Sequence, residues 1–429
     1  MQAPGTRDDI PRPASAEPEG GSSTLLRGLA RRLTQVPATG TIRDRVRSLP
    51  KRFRRAAAAG IAAEWELRVE EETFTVSVVE RRCHVREGPS LAPTFTVASD
   101  AETWLAVDDG TLPPPEALRR GRLGLRGNLD MAVRMQTLFR PFARPRAVSD
   151  VEQVEVEANG LQLSTYVYGP PDGPGLLWLH GLGATKTSWL PSLSPFAEKY
   201  RMIVPDLPGH GESEKPRTDY TPRYYARSMR KLLDAVGQDR AVVVGNSMGG
   251  RVALELAVRS PDRVRGLALL APAVPGLRVR YLLGFMRIVP SEIGAIPFPV
   301  RERLTKLVIS RLFSDPSVLS EESRLAAADE FIRIYSAPIA RMAFLDSLRH
   351  ILLEPAKPFW ARVERIRTPA LVVWGEDDHM LPVRLAGRLA DALPTRDVLI
   401  MPNVGHVPQL EALEKTNAAM LKFLKRLPD

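Results

Sequence analysis

Two hydrophobic rhythms divide this chain. AAEWELRVE and ETFTVSVVE alternate apolar with polar residues, and RRCHVREG and PTFTVAS continue in kind, so neighbouring antiparallel strands are predicted. Asp100 can then cap a short helix, AETWLAV. A Pro-started helix, PPPEALRR, a short strand, GRLGLRGN, and an amphipathic segment, LDMAVRMQTLF, complete this region near Phe142. From about residue 151 the pattern changes to β and α in alternation, the sign of a mostly parallel sheet flanked by helices. GLLWLH, RMIVPD, AVVVGN, RGLALLAP and PALVVWGEDD read as its buried strands. Between Ala273 and about Arg367, helical segments such as VRERLTKLVISRLF interrupt the series. An insertion there sits over the carboxyl ends of the strands, where ligands bind in open α/β sheets, and reads as a cap.

A length of 429 residues suggests two domains with margins. The expected division is disorder over residues 1–24, a basic arm over 25–55, a small α+β domain over 56–142, a linker, ARPRAVSD, and an α/β domain over 151–427 with a cap at about 273–367. The net charge of +10 changes meaning once it is located. Ten Lys or Arg residues and only Asp44 lie between Arg27 and Arg55, so the arm carries +9 and the remainder is nearly neutral. A dedicated nucleic-acid partner is therefore not expected. Leu25, Leu26, Leu29 and Leu33 fall at helical spacing beside Arg27, Arg31 and Arg32, which would suit peripheral contact with an anionic membrane. The first residues lack the pattern of a secretory signal, and no run approaches the roughly 18 apolar residues of a membrane span. Cys83 stands alone, which excludes an intrachain disulfide and fits a reducing cytoplasm.

Gly245-Asn246-Ser247-Met248-Gly249-Gly250 carries the strongest chemical signal. Its Gly-x-Ser-x-Gly form follows an apolar strand directly and opens an amphipathic helix, the context of a nucleophile elbow. Gly245 and Gly249 allow the sharp turn that lifts a serine above a sheet. A serine hydroxyl needs a base, and the base an orienting carboxylate. Six histidines are available: His84, His180, His210, His350, His379 and His406. GEDDH, after the strand ALVVW, supplies Glu376, Asp377 and Asp378. No Cys/His or acidic cluster has metal-ligand spacing and no Gly-rich turn has the form of a phosphate loop, so no metal or cofactor is implied.

This constellation resembles the α/β-hydrolase fold family over roughly residues 151 to 427. The family's chain order of serine, acid, histidine selects His406, in NVGHVPQLE, and its usual acid, three residues after a glycine, selects Asp378; Asp377 is left to stabilise the turn. His180-Gly181-Leu182-Gly183 matches the family's oxyanion turn, and the resemblance implies donors from the backbone N–H groups of Leu182 and Met248. Asp206, Gly209, Gly211 and Ser213 form its second Gly-rich turn, a brace without chemical role. The run from Phe95 to Phe139, with Gly110, Gly121, Gly124, Gly127 and Asn128 at its turns, resembles the sterol carrier protein type 2 family over about residues 55 to 142. That resemblance implies an α/β sandwich enclosing an apolar tunnel for a lipid ligand.

Together these signals predict an enzyme that cleaves a small hydrophobic carboxylic ester through an acyl-enzyme on Ser247. Two alternatives share the triad. The elbow resembles that of the meta-cleavage-product hydrolases, which break a carbon–carbon bond in dienoic acids, but Val407 stands where those enzymes usually carry a Trp. A thioesterase is the other. The non-enzyme alternative is a lipid-binding or transfer protein with a relic hydrolase domain, against which the intact Ser, Asp and His argue.

Overall fold

Strand-forming residues at alternating positions build the first sheet. A computed structural model describes residues 41–142, 151–275, 290–296, 307, 310–318, 321–394 and 397–428. The expected disorder over residues 1–24, the leucine-spaced basic helix near Leu25–Leu33 and the linker ARPRAVSD lie outside the described residues. Strands β1 (Ala63–Val69), β2 (Glu72–Val79), β3 (Arg82–Glu87), β4 (Phe95–Ser99) and β5 (Leu123–Gly127) form a sheet in the order β3-β2-β1-β4-β5. The pairing departs from the expected run of antiparallel neighbours, because β4 runs parallel to β1. Asp100 caps the helix Ala101–Asp109 by accepting from Thr103 N at 2.8 Å. Trp65, Phe74, Phe95, Trp104, Met135 and Leu138 fill the interior of this unit, with Trp65 stacked on Phe95 at 5.4 Å.

The basic arm needs correction. Residues Ile42–Arg52 form a helix whose Val46 and Leu49 join the same apolar interior. Its arginines are paired locally. Arg45 is buried against Asp109 at 2.5 Å, Arg47 pairs with Glu87 at 2.6 Å, and Arg52 pairs with Asp108 at 2.7 Å. This half of the expected arm is part of the small domain because its acidic partners are folded beside it.

The second sheet has eight strands in the order β13-β12-β11-β10-β8-β9-β7-β6. An antiparallel hairpin, β6 (Glu152–Ala158) and β7 (Leu161–Tyr168), leads into β8 (Gly175–Leu179), β9 (Arg201–Pro205), β10 (Ala241–Asn246), β11 (Val264–Leu270), β12 (Ala370–Gly375) and β13 (Asp397–Met401). From β9 to β13 every pairing is parallel. The central strands β8, β10 and β12 are buried at every position, which is why they read as unbroken apolar runs rather than alternations.

Between β11 and β12 stand the cap helices Glu321–Tyr335 and Pro338–Leu353. The next helix, Ala356–Val363, was expected within the cap but belongs to the body: Phe359, Trp360 and Val363 pack into the core beside the sheet. The cap is tied down by a buried chain of hydrogen bonds, Tyr335 to His210 at 2.8 Å, His210 to Tyr225 at 3.0 Å, and Tyr225 to Ser347 at 2.7 Å.

The small domain docks on the large one through the helix Leu129–Gln136. One face of that helix supplies Met135 to the small domain's interior, while Val133 is buried among Tyr166, Tyr168 and Trp178 of the large one. Among the described residues no helix is long and apolar enough to cross a membrane.

Candidate active site

Ser247 sits where β10 ends and the helix Met248–Arg259 begins. Its φ of +51° places a non-glycine residue in a costly region, about 1–3 kcal/mol above relaxed backbone. The surroundings over-determine it. Ser247 N donates to Leu270 O at 3.0 Å, and its carbonyl accepts from Arg251 N at 3.0 Å and Ala273 N at 2.8 Å. The flanking glycines are required by space. A Cβ on Gly245 would lie 2.6 Å from the backbone of Gly249, and one on Gly249 would lie 2.1 Å from Leu179 O.

His406 and Asp378 meet on the same side of the sheet. Asp378 follows β12, and its Oδ1 accepts from Met380 N and Leu381 N, each at 2.8 Å. This fixes the carboxylate so that Oδ2 accepts from His406 Nδ1 at 2.8 Å. With the proton on Nδ1, Nε2 is left as the acceptor nitrogen. The loop carrying His406 is itself held: Asn246, next to Ser247, donates to His406 O at 3.2 Å, and His406 N donates to Leu312 O at 2.7 Å. Ser247 and His406 both line one cavity of about 1980 Å³.

Gly181, Leu182 and Gly183 line that cavity too, directly after β8. Met248 is the first residue of its helix, so its N–H has no partner within the helix. His180 faces the other way. Its Nε2 accepts from Leu207 N at 3.0 Å and its Nδ1 lies 2.8 Å from Gly181 O; burial pulls its pKa down, so the ring is neutral and braces two turns. His379 is exposed, His350 pairs with Asp346 in the cap, and His84 lies on β3 of the small domain. Asp377 accepts from Ser314 Oγ at 2.8 Å, which ties the acid turn to the cap loop.

The alpha/beta hydrolase fold description matches residues 174–413, more than half of the chain. The chain belongs to the alpha/beta hydrolase fold family. Residues 44–140 match the SCP-2 sterol transfer family. A dihydrolipoyllysine-residue acetyltransferase component of an acetoin cleaving system from Pseudomonas putida is 32% identical over 63% of this chain and 69% of its own. A 2-hydroxy-6-oxononadienedioate/2-hydroxy-6-oxononatrienedioate hydrolase from Burkholderia vietnamiensis is 30% identical over 64% of this chain and 95% of its own. A crystal structure of a membrane phospholipase A, a bacterial virulence factor, is 27% identical with a TM-score of 0.55, covering 64% of this chain and 86% of that one.

This α/β hydrolase also contains polar residues that sequence reasoning did not single out. Lys186, fully buried after the Gly181–Gly183 turn, lies 2.6 Å from Asp206 Oδ2 and 2.6 Å from Asp130 Oδ1. Asp206 further accepts from Lys186 N and Glu212 N, so the second Gly-rich turn is a brace. Desolvation opposes the Lys186 charge, but the two carboxylates outweigh it and hold the ammonium protonated. Asp130 comes from the SCP2-type domain and accepts from Tyr166 Oη at 2.7 Å. Beside the cavity, Glu411 accepts from Gly405 N and Ser314 N and so steadies the His406 loop. A Glu five residues after the histidine was the visible signal. For Lys186 there was none, because its partners lie 20 and 56 residues away.

Proposed function

We propose that this enzyme hydrolyses a hydrophobic carboxylic ester. Ser247 attacks the carbonyl, and His406 Nε2 takes its proton and delivers it to the leaving alcohol. Asp378 holds the imidazole's tautomer and stabilises its charged form. The backbone N–H groups of Leu182 and Met248 receive the developing oxyanion, each worth on the order of a hundred- to thousand-fold in rate. Water then releases the acyl group by the same steps in reverse. One observation carries this reading: the strained Ser247 and His406, whose Nδ1 is bonded to Asp378, border the same apolar cavity. The likeness to a phospholipase A adds weight to an ester bond.

The Burkholderia relative, aligned over 95% of its length, favours carbon–carbon bond hydrolysis as the second reading. Val407 after the histidine, and the mainly apolar lining of the cavity, with Phe331 and Phe344 of the cap, favour the ester. A thioester would be attacked by the same groups. A lipid ligand for the SCP2-type domain and an anionic membrane contact before residue 41 are part of the same proposal. So is a cytoplasmic location, in keeping with the lone Cys83, whose thiol burial pushes up to about 12.

A fluorophosphonate probe tests the core of the proposal. Labelling of the native chain and its loss in Ser247→Ala are expected; an unlabelled native chain overturns it. Turnover of p-nitrophenyl esters set against a dienoic acid then separates the two bonds.

A further inference from the structure

The cavity beside Ser247 does not end within the hydrolase domain. It passes Phe331 and Phe344 of the cap helices and reaches Leu118, Leu123, Leu125 and Leu129 of the SCP2-type domain. At about 1980 Å³ it is larger than the ~300–1,000 Å³ typical of small-molecule sites. Leu123 is buried yet belongs to neither packed interior, and Leu125 is half-buried two residues along the same strand. Strand β5 therefore presents apolar side chains to space, not to a core.

That wall is held in place. The cap helix Glu321–Tyr335 packs along β5, where Arg126 pairs with Asp329 at 2.9 Å. Ser194 donates to Glu116 at 2.6 Å, and Arg119 pairs with Glu414. Behind these contacts lies the sealed Asp130–Lys186–Asp206 junction. A domain docked through buried charges and Val133 keeps one position relative to the nucleophile.

We propose that the SCP2-type domain is a fixed wall of the substrate cavity, and that the acyl chain of an ester held at Ser247 extends across the domain boundary onto the face made by Leu118, Leu123, Leu125 and Leu129. The acyl chain belongs to the substrate itself, distinct from any lipid the small domain binds on its own account. The inference rests on the ester reading above. It adds a specificity determinant that lies outside the hydrolase domain.

Leu125→Trp tests it by filling the far end of the cavity. The measurement is kcat/KM for p-nitrophenyl laurate relative to p-nitrophenyl butyrate. In an apolar pocket a single methylene is worth ~10-fold or more, so the laurate-to-butyrate ratio should fall by at least ~10-fold. A ratio within twofold of the native value overturns the proposal. Leu125→Phe, a smaller addition at the same place, must move the ratio in the same direction and serves if the Trp variant does not fold. Laurate binding to Ser247→Ala, followed by calorimetry, keeps the two readings apart. If no ester is turned over but Leu125→Trp still weakens laurate at least ~10-fold, the ester reading fails and the wall stands. If esters are turned over and laurate binding is indifferent to residue 125, the wall fails alone.

Discussion

Two buried acid–base clusters in this molecule differ in what surrounds them. In one, Asp378 holds His406 from a single side, and the ring borders the cavity. In the other, Lys186 lies between Asp130 and Asp206 and 4.8 Å from the centre of the Tyr166 ring, with no exposure at all. The residue types would suit chemistry in either place. Access and leftover bonding capacity separate them. His406 has one ring nitrogen bonded to Asp378 and lines the cavity that Ser247 also lines, whereas Lys186 commits its charge to carboxylates from two different domains. The first arrangement suits the proposed acyl transfer; the second suits a structural tie between the domains.

The sharpest way to break this contrast is to remove the nucleophile. Ser247→Ala should lower kcat by about a million-fold while the thermal melt stays within a few degrees of native, and Asp378→Asn should cost about ten thousand-fold through the wrong tautomer. Stopped assays with p-nitrophenyl butyrate and a melting curve for each variant decide the matter. A large loss of stability in either would move this cluster towards the structural class.

Lys186→Met should behave in the reverse sense. It strands two buried carboxylates, so the folded state should lose about 3–5 kcal/mol, read from urea unfolding. The protein that remains folded should retain its turnover of butyrate. Activity lost with stability intact would erase the distinction drawn above.

The smallest expected effect concerns Glu330, which borders the cavity, 3.5 Å from Thr185 and paired with Arg333. Burial pushes its carboxyl up from 4.5 to about 7, against the opposing pull of Arg333. A carboxyl whose folded pKa is raised binds its proton more tightly in the native state. Its contribution is therefore fully present below about pH 4.5 and is lost as pH rises through about 7, amounting to about 3 kcal/mol. Unfolding measured from pH 5 to 8 should show this decline in the native chain. In Glu330→Gln, which has no proton to lose, the decline should flatten; an unchanged profile would remove Glu330 from the account.

Much of this was legible before any coordinates. The elbow was readable because a nucleophile turn is local: six consecutive residues carry both its glycines and its strand-to-helix context. The order of serine, acid and histidine narrowed the rest of the proposed triad. Family spacing selected Asp378 over Asp377 for the proposed triad; in the structure Asp378 pairs with His406, while Asp377 accepts from Ser314 on the cap loop. The basic helix Ile42–Arg52 was misjudged because charge counting sees cations and not the folded acids that neutralise them. Likewise, the parallel placement of β4 against β1 depends on a crossover that strand rhythm does not record.

Local pattern, taken alone, determined the two kinds of sheet, the capping of helices by Asp100 and Asn128, and the turn that lifts Ser247. These depend on residues within a few positions of one another, where backbone geometry and polarity act directly. Only the tertiary structure decided that Asp130 meets Lys186, that Val133 enters the neighbouring domain's core, and that one cavity joins Ser247 to Leu125. Each depends on burial, which strengthens charge pairing and apolar contact only after distant segments have come together and excluded water.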